Sequence, residues 1–103
     1  MYKTELFNSV VQSVQQICEV EGDIFRGNTR DYVDARHIAV YVLFRCGFSH
    51  RDVKRLTGLT RQAYYKITRD FDLRLETGGV IMKKNYKEVL RIVKREEDRI
   101  ASM

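Results

Sequence analysis

The sequence predicts an all-α protein, a small bundle of about five helices that contains a helix-turn-helix motif. Three observations support this fold class. The 103-residue chain has no proline. Its apolar residues recur mostly at helical spacing, and residues 49–71 join two short amphipathic segments through a glycine. A chain of this length is expected to bury a single core, so we assign residues 1–103 to one helical domain.

A first helix is expected from about Glu5 to Val20, followed by a loop over residues 21–29 that contains two glycines and no sustained period. The loop fits the phosphate-binding pattern except that Asn28 stands where a lysine is needed, and no hydrophobic strand precedes it. Nucleotide binding is therefore not expected. The apolar stripe predicted for the first helix comprises Leu6, Val10, Val14 and Ile17, widened by Phe7, Val11 and Cys18.

The second predicted helix, from about Asp31 to Arg45, is apolar nearly all round. A helix without a polar face belongs in the centre of a bundle. Gly47 ends this helix. The apolar positions are Val33, Ala35, Ile38, Ala39, Val40, Val42, Leu43 and Phe44.

The helix-turn-helix is expected at about residues 49–71. Ser49 and Asp52 form a capping box, which predicts a helix that begins at His50. Gly58 marks the sharp turn, and the Thr60 hydroxyl can cap the next helix. The positions expected to be buried are Val53, Leu56, Leu59, Tyr64, Ile67 and Phe71.

Gly78 and Gly79 indicate a break after this unit, and the last helix is expected at about residues 85–100. Asn85 and Glu88 have capping-box spacing, and one side of the helix carries Tyr86, Val89, Leu90 and Val93. The other side is dense in lysine and arginine. Three interpretations remain open for that side, namely a solvated outer face, a homodimer contact and extra phosphate contacts.

Positive charge is unevenly distributed along the chain. Residues 50–70 contain six basic and two acidic side chains, whereas residues 1–25 contain one basic and four acidic. Such sorting exceeds what solubility requires and favours a polyanionic partner.

In the second helix of the motif, Arg61, Gln62 and Tyr65 are the candidates for base readout, although Tyr65 could equally belong to the core. Candidates for contacts to phosphates or bases are Lys66, Arg69, Arg51, Lys54 and Arg55.

Other chemistry receives little support from the sequence. Cys18 and Cys46 are interpreted as small core residues, and with the two histidines they match no zinc-binding spacing. His37 and His50 are expected at the surface, without a catalytic partner. We therefore expect no enzyme activity, metal or cofactor. Arg36 fits a structural ion pair and a DNA contact equally well.

The chain lacks a signal-peptide core and an apolar run of membrane-spanning length, so no membrane association and a cytoplasmic location are expected.

Residues 35–43, Ala-Arg-His-Ile-Ala-Val-Tyr-Val-Leu, resemble a helix in the C-terminal DNA-binding domain of the bacterial replication initiator DnaA. The resemblance covers about residues 26–71. It implies a fold related to the Trp repressor and a helix-turn-helix that binds duplex DNA.

This chain departs from the initiator family where the family reads DNA. The family's Asp-His-Thr-Thr-Val stretch corresponds to residues 60–64, with a turn one residue shorter, so Arg61 and Gln62 replace the histidine and the first threonine. The family's basic minor-groove residue, two positions before Arg36, is Asp34 in this chain. Recognition of the initiator box is not expected to transfer.

The sequence thus predicts a sequence-specific double-stranded DNA-binding protein, either a transcriptional regulator or a DNA-targeting protein of a replication or mobile-element system. The alternative is a protein-interaction module on the same helical fold that does not bind DNA.

Overall fold

The computed structural model describes residues 2–102, which form five α-helices and no β-strand. The predicted all-α bundle is confirmed. None of the helices in this range has the length and apolar character needed to cross a membrane. The helices are α1 (Tyr2–Cys18), α2 (Arg30–Arg45), α3 (His50–Thr57), α4 (Arg61–Thr77) and α5 (Gly79–Ala101).

Helix α2 lies at the centre of the bundle, as predicted, and packs against α1, α4 and α5. Thr29 caps its N-terminus. The predicted apolar position Phe44, at the C-terminal end of the helix, is 44% exposed although its ring meets Tyr64 edge-on, so the central placement does not bury every apolar residue of α2. Val33 is half-buried. The fully buried positions of α2 are Ala35, Ile38, Ala39, Val40, Val42 and Leu43.

Helix α1 begins and ends slightly earlier than predicted, at Tyr2 and Cys18. Glu19 ends it by adopting a positive φ of 55°, a conformation that is uncommon for residues other than glycine. The Val20 amide then donates to the carbonyl of Gln15 at 3.0 Å, the hydrogen bond of a Schellman motif. The buried residues of α1 are Leu6, Val10, Ser13 and Val14, so the predicted core face is correct for its first three positions, whereas Ile17 is half-buried.

The loop between α1 and α2 is held by α2. The Arg36 guanidinium donates to the carbonyl oxygens of Ile24 and Arg26, each at 3.1 Å, and to that of Gly27. The Tyr32 hydroxyl donates to the carbonyl of Glu21. Of the two roles predicted for Arg36, the structural ion pair is wrong, because its Nε and Nη2 groups donate to loop carbonyls and no carboxylate lies within ion-pair distance of it among residues 2–102. A DNA contact by Arg36 stays a prediction. Ile24 is fully buried beneath the loop.

Helix α5 begins at Gly79, six residues before the predicted start at Asn85. Asn85 and Glu88 lie inside the helix, and the Glu88 carboxylate accepts from Arg91 at 2.9 Å instead of capping. The break at the two glycines was predicted correctly, but only Gly78 separates α4 from α5, and Gly79, with φ 85°, is already the first residue of α5. Met82, buried seven residues before Val89, continues the apolar stripe over this added length.

We predict that Arg36→Met loosens the α1–α2 loop. Loss of three donors to carbonyl groups should lower the free energy of unfolding by about 1–3 kcal/mol, measured by urea denaturation, and should accelerate hydrogen exchange in residues 21–29. The matched control is Arg30→Met, an exposed arginine on the same helix. Equal stability of the two variants would show that the loop does not depend on the guanidinium.

Candidate DNA-binding surface

The first helix of the motif, α3, begins with the predicted capping box. The Asp52 amide donates to the Ser49 hydroxyl at 3.2 Å, and the Ser49 amide donates to the Asp52 carboxylate at 3.0 Å. These bonds satisfy donors that the first turn of a helix leaves unpaired. Val53 is fully buried and holds α3 to the core.

The turn between α3 and α4 has three residues. Gly58 adopts φ 80°, a conformation that glycine adopts without steric cost, and its amide donates to the carbonyl of Lys54 at 2.8 Å. Leu59 packs against the core. The Thr60 hydroxyl accepts from the Ala63 amide at 3.1 Å, so α4 begins at Arg61. Both predicted caps are therefore confirmed.

The rotation of α4 about its axis is set by three buried residues, Tyr64, Ile67 and Phe71, as the sequence predicted. The Tyr64 hydroxyl donates to the Phe48 carbonyl at 2.7 Å. The Phe71 ring stacks on Tyr41 of α2 with centroids 4.1 Å apart. Because these contacts fix one side of α4 against α2, the opposite side must face solvent.

The five candidate residues on α4 are all exposed, namely Arg61, Gln62, Tyr65, Lys66 and Arg69. Tyr65 is 47% exposed and therefore lies outside the core, which resolves the alternative left open by the sequence. The Arg61 guanidinium carbon lies 5.7 Å from the centroid of the Tyr65 ring. The centroids of the Tyr65 and His50 rings are 5.6 Å apart. Tyr65 thus contacts residues of both helices of the motif.

The basic character of this face ends at Arg69. Its guanidinium lies 3.1 Å from the Asp70 carboxylate, which partly neutralises its charge and lowers the pKa of Asp70. Farther along, the same side of α4 presents the exposed residues Asp72, Leu73 and Glu76. Only the first two to three turns of α4 are therefore suited to a polyanion, a limit that the sequence analysis did not identify.

The candidates on α3, Arg51, Lys54 and Arg55, are also exposed. Lys54 occupies a position where many helix-turn-helix units need a small residue so that the two helices can approach closely. Its side chain is exposed to solvent and therefore does not obstruct the contact between α3 and α4. Arg55 lies 3.8 Å from the Asp52 carboxylate, an i,i+3 pair at the surface. Such pairs contribute little to stability, so Arg55 remains free to exchange partners.

An ion pair between Lys3 and Asp52 ties the motif to the N-terminal helix. Their nitrogen and oxygen atoms are 2.7 Å apart, and the Lys3 ammonium lies 5.6 Å from the centroid of the Phe48 ring. The hydrogen bond from Lys3, with that from the Ser49 amide, lowers the pKa of Asp52 to about 2. A second pair, Arg74–Asp34 at 2.9 Å, joins α4 to α2. Neither pair was predicted from the sequence.

The histidines are less exposed than predicted. His37 and His50 are both half-buried. The Nδ1–H group of His37 donates to the Val33 carbonyl at 2.7 Å, and burial lowers the pKa of its imidazole. Both residues therefore retain only part of the surface exposure that the sequence suggested.

Cys18 and Cys46 are free thiols, half-buried and packed against the core. Burial raises the pKa of each to about 11, so both remain protonated near neutral pH and are poor nucleophiles. Within residues 2–102, no three histidine, cysteine or acidic side chains are grouped as a metal site would require.

Comparison of the chain with protein-family models, curated proteins and solved structures finds no match. The resemblance to the initiator domain gains no support from these comparisons.

We predict that Asp52 makes the stability of the protein acid-sensitive. Its folded-state pKa of about 2 lies below the ordinary value of 3.8, so its contribution is complete above about pH 4 and is lost as the pH falls towards 2. Asp52→Asn should lower the free energy of unfolding by about 1 kcal/mol at pH 7 and flatten its fall between pH 4 and 2. Urea denaturation at several pH values measures both effects.

The matched control is Glu76→Gln, which neutralises an exposed acid near the C-terminal end of α4. It should leave the stability at pH 7 and the slope below pH 4 close to those of the parent protein. An Asp52→Asn protein with the parent acid profile would disprove the contribution of the Lys3–Asp52 pair.

Proposed function

We propose that this protein binds double-stranded DNA sequence-specifically by placing the N-terminal turns of α4 in the major groove. It would act as a transcriptional regulator or as the DNA-targeting protein of a replication or mobile-element system in the cytoplasm. The supporting observation is the exposed cluster Arg61, Gln62, Tyr65 and Lys66 on a helix whose rotation is fixed by its buried side. A helix that presents forked, amide and cationic side chains fits the groove and its base edges.

Sequence readout is assigned to the first turn of α4. Arg61 can donate two hydrogen bonds to a guanine, and Gln62 can pair with the N6 and N7 edge of an adenine. Tyr65, beside Arg61 and His50, adds an aromatic surface with a hydroxyl at its tip. These three residues cover adjacent positions at the start of the helix, the part that usually contacts bases in this motif.

Affinity is assigned mainly to cations around this turn. Lys66 and Arg69 extend the basic face along α4, and Arg51, Lys54 and Arg55 surround it on α3. Cations at the edges of a groove bind phosphates and orient the protein without reading sequence. The proposal includes no catalytic residue, nucleotide, metal or cofactor, since the candidate set contains only groups suited to binding.

A protein-interaction module is the second candidate function. It is favoured by three large apolar side chains exposed near the α4–α5 junction, Leu73, Val80 and Ile81, at 63%, 82% and 75%. Exposed apolar patches commonly mark protein contacts. These apolar residues lie beyond Arg69, after the basic turns of α4, so they are also compatible with a DNA-binding dimer.

Mutations should separate the residues that read the DNA sequence from those that only contribute to DNA affinity. In a selection from random duplexes, Arg61→Ala or Gln62→Ala should reduce discrimination at one or two base pairs by about 5- to 150-fold. Lys66→Ala should weaken binding to all sequences alike and lower the salt slope by about 1. Arg30→Ala, an exposed arginine at the start of α2, is the control. Undiminished discrimination in both first-turn variants would refute the assignment of readout.

The two functions differ in solution behaviour. The five phosphate contacts assigned to α3 and α4 should alone make DNA binding weaken with salt at a log-log slope of about −4 to −5. An interaction module should leave duplex DNA unshifted at low salt while its mass in sedimentation increases with protein concentration. Fluorescence anisotropy with a labelled duplex, combined with sedimentation of the same samples, distinguishes them. Failure to bind any duplex at 50 mM salt would eliminate the DNA-binding proposal.

A further inference from the structure

The outer side of α5 carries a dense stripe of positive charge. Residues 83–95 contain six basic side chains and one acidic side chain, Glu88. We call the basic set the α5 stripe. The stripe comprises Lys83, Lys84, Lys87, Arg91, Lys94 and Arg95, all of which are exposed.

Most of this charge is not neutralised within the molecule. Arg91 pairs with Glu88 at 2.9 Å. The other five cations of the stripe have no carboxylate within ion-pair distance among residues 2–102. From Lys83 to Arg95 the stripe extends about 18 Å along the helix.

The order of charges in α5 opposes the stability of the helix itself. Residues 83, 87, 91 and 95 place like charges four positions apart, which is unfavourable on a helix surface. The first turn has no acidic residue, while Glu96, Glu97 and Asp98 lie close to the C-terminus. The helix dipole favours the reverse distribution. A solvated face needs neither feature, so the stripe is better explained by an external anionic partner.

We propose that the α5 stripe is a second DNA-binding surface, which holds the phosphate backbone of a duplex without reading its sequence. One strand presents a phosphate every 3.4 Å or so along the axis, so an 18 Å stripe faces about five of them. The proposal stands on α5 alone and does not require the readout assigned to α4.

Two other partners fit the stripe less well. The apolar side of α5 is occupied within the bundle, where Met82, Val89 and Val93 are buried. The exposed apolar residues Val80 and Ile81 lie only in the first turn of the helix, so α5 presents no apolar face along its length to a bilayer. A second copy of the chain would place like charges against each other if the two stripes met. Of the three interpretations of this helix that the sequence left open, phosphate contacts are thus favoured.

The stripe is electrostatically distinct from the basic end of α4. A groove between α4 and α5 is lined by Asp72 and Glu76 together with Lys83 and Lys87. Acidic residues therefore border the stripe on the α4 side. Removal of charge from one basic surface can consequently be tested while the other remains intact.

The test uses a triple variant, Lys84→Gln/Lys87→Gln/Lys94→Gln, which we call the stripe variant. It is made in two backgrounds, the parent full chain and the full chain that also carries Arg61→Ala/Gln62→Ala. Binding to a 20-base-pair random-sequence DNA duplex is followed by fluorescence anisotropy from 50 to 200 mM salt. In both backgrounds the stripe variant should lower the magnitude of the salt slope by about 2 to 3. Base preference in the full chain should not change.

The matched control, Arg26→Gln/Arg30→Gln/Arg45→Gln, removes three exposed charges outside the stripe and gives the same net charge. Its salt slope should change by less than 1. Lys84→Arg/Lys87→Arg/Lys94→Arg should retain the parent slope, which separates loss of charge from any loss of structure.

Three results would overturn the proposal. They are an unchanged slope in the stripe variant, an equal change in the control, and stronger stripe-dependent binding to an RNA duplex or to vesicles with 30% phosphatidylserine than to DNA. Loss of base preference in the Arg61→Ala/Gln62→Ala chain bears only on α4. A stripe-dependent slope in that background supports the α5 surface even if the sequence-reading role of α4 fails.

Discussion

The contact between α2 and α4 is the constraint on which the rest of this structure depends. Tyr64, Ile67 and Phe71 form a single buried side of α4, and the Tyr41–Phe71 stack fixes that side against the central helix. Rotation of α4 by one residue, about 100°, would bury a charged side chain and expose an aromatic one. Core packing therefore determines which residues face outwards, and the candidate DNA-binding surface is a consequence of it.

Features set by neighbouring residues were predictable from sequence. The Ser49 capping box, the Gly58 turn and the Thr60 cap each depend on at most four consecutive residues, so their spacing was sufficient to locate α3 and the start of α4. The start of α5 was missed for a local reason as well. Asn85 and Glu88 imitate a capping box, although the apolar stripe already continues upstream through Met82.

Features that join distant segments were not predictable. Lys3 and Asp52 are separated by 49 positions and meet only because α1 lies beside the start of α3. Arg36 and the loop carbonyls it binds have no sequence signature, since any carbonyl can accept. In the candidate site, helical periodicity identified the exposed side of α4. How far the basic part of that side extends depends on the Arg69–Asp70 ion pair and on the acidic residues that follow it, Asp72 and Glu76.

Charge placement in this protein follows two different rules. On the α3–α4 unit, a negative charge lies where it stabilises a helix start, because Asp52 completes a cap and binds Lys3. On α5 the order is reversed, with lysines near the N-terminus and acids near the C-terminus, so the helix is stable because its apolar side packs against the bundle. Because this packing offsets the repulsion between the surface charges, the lysines and arginines of α5 are not needed to stabilise the helix. The fold thus accommodates two basic surfaces, one oriented by α2 and one carried on α5.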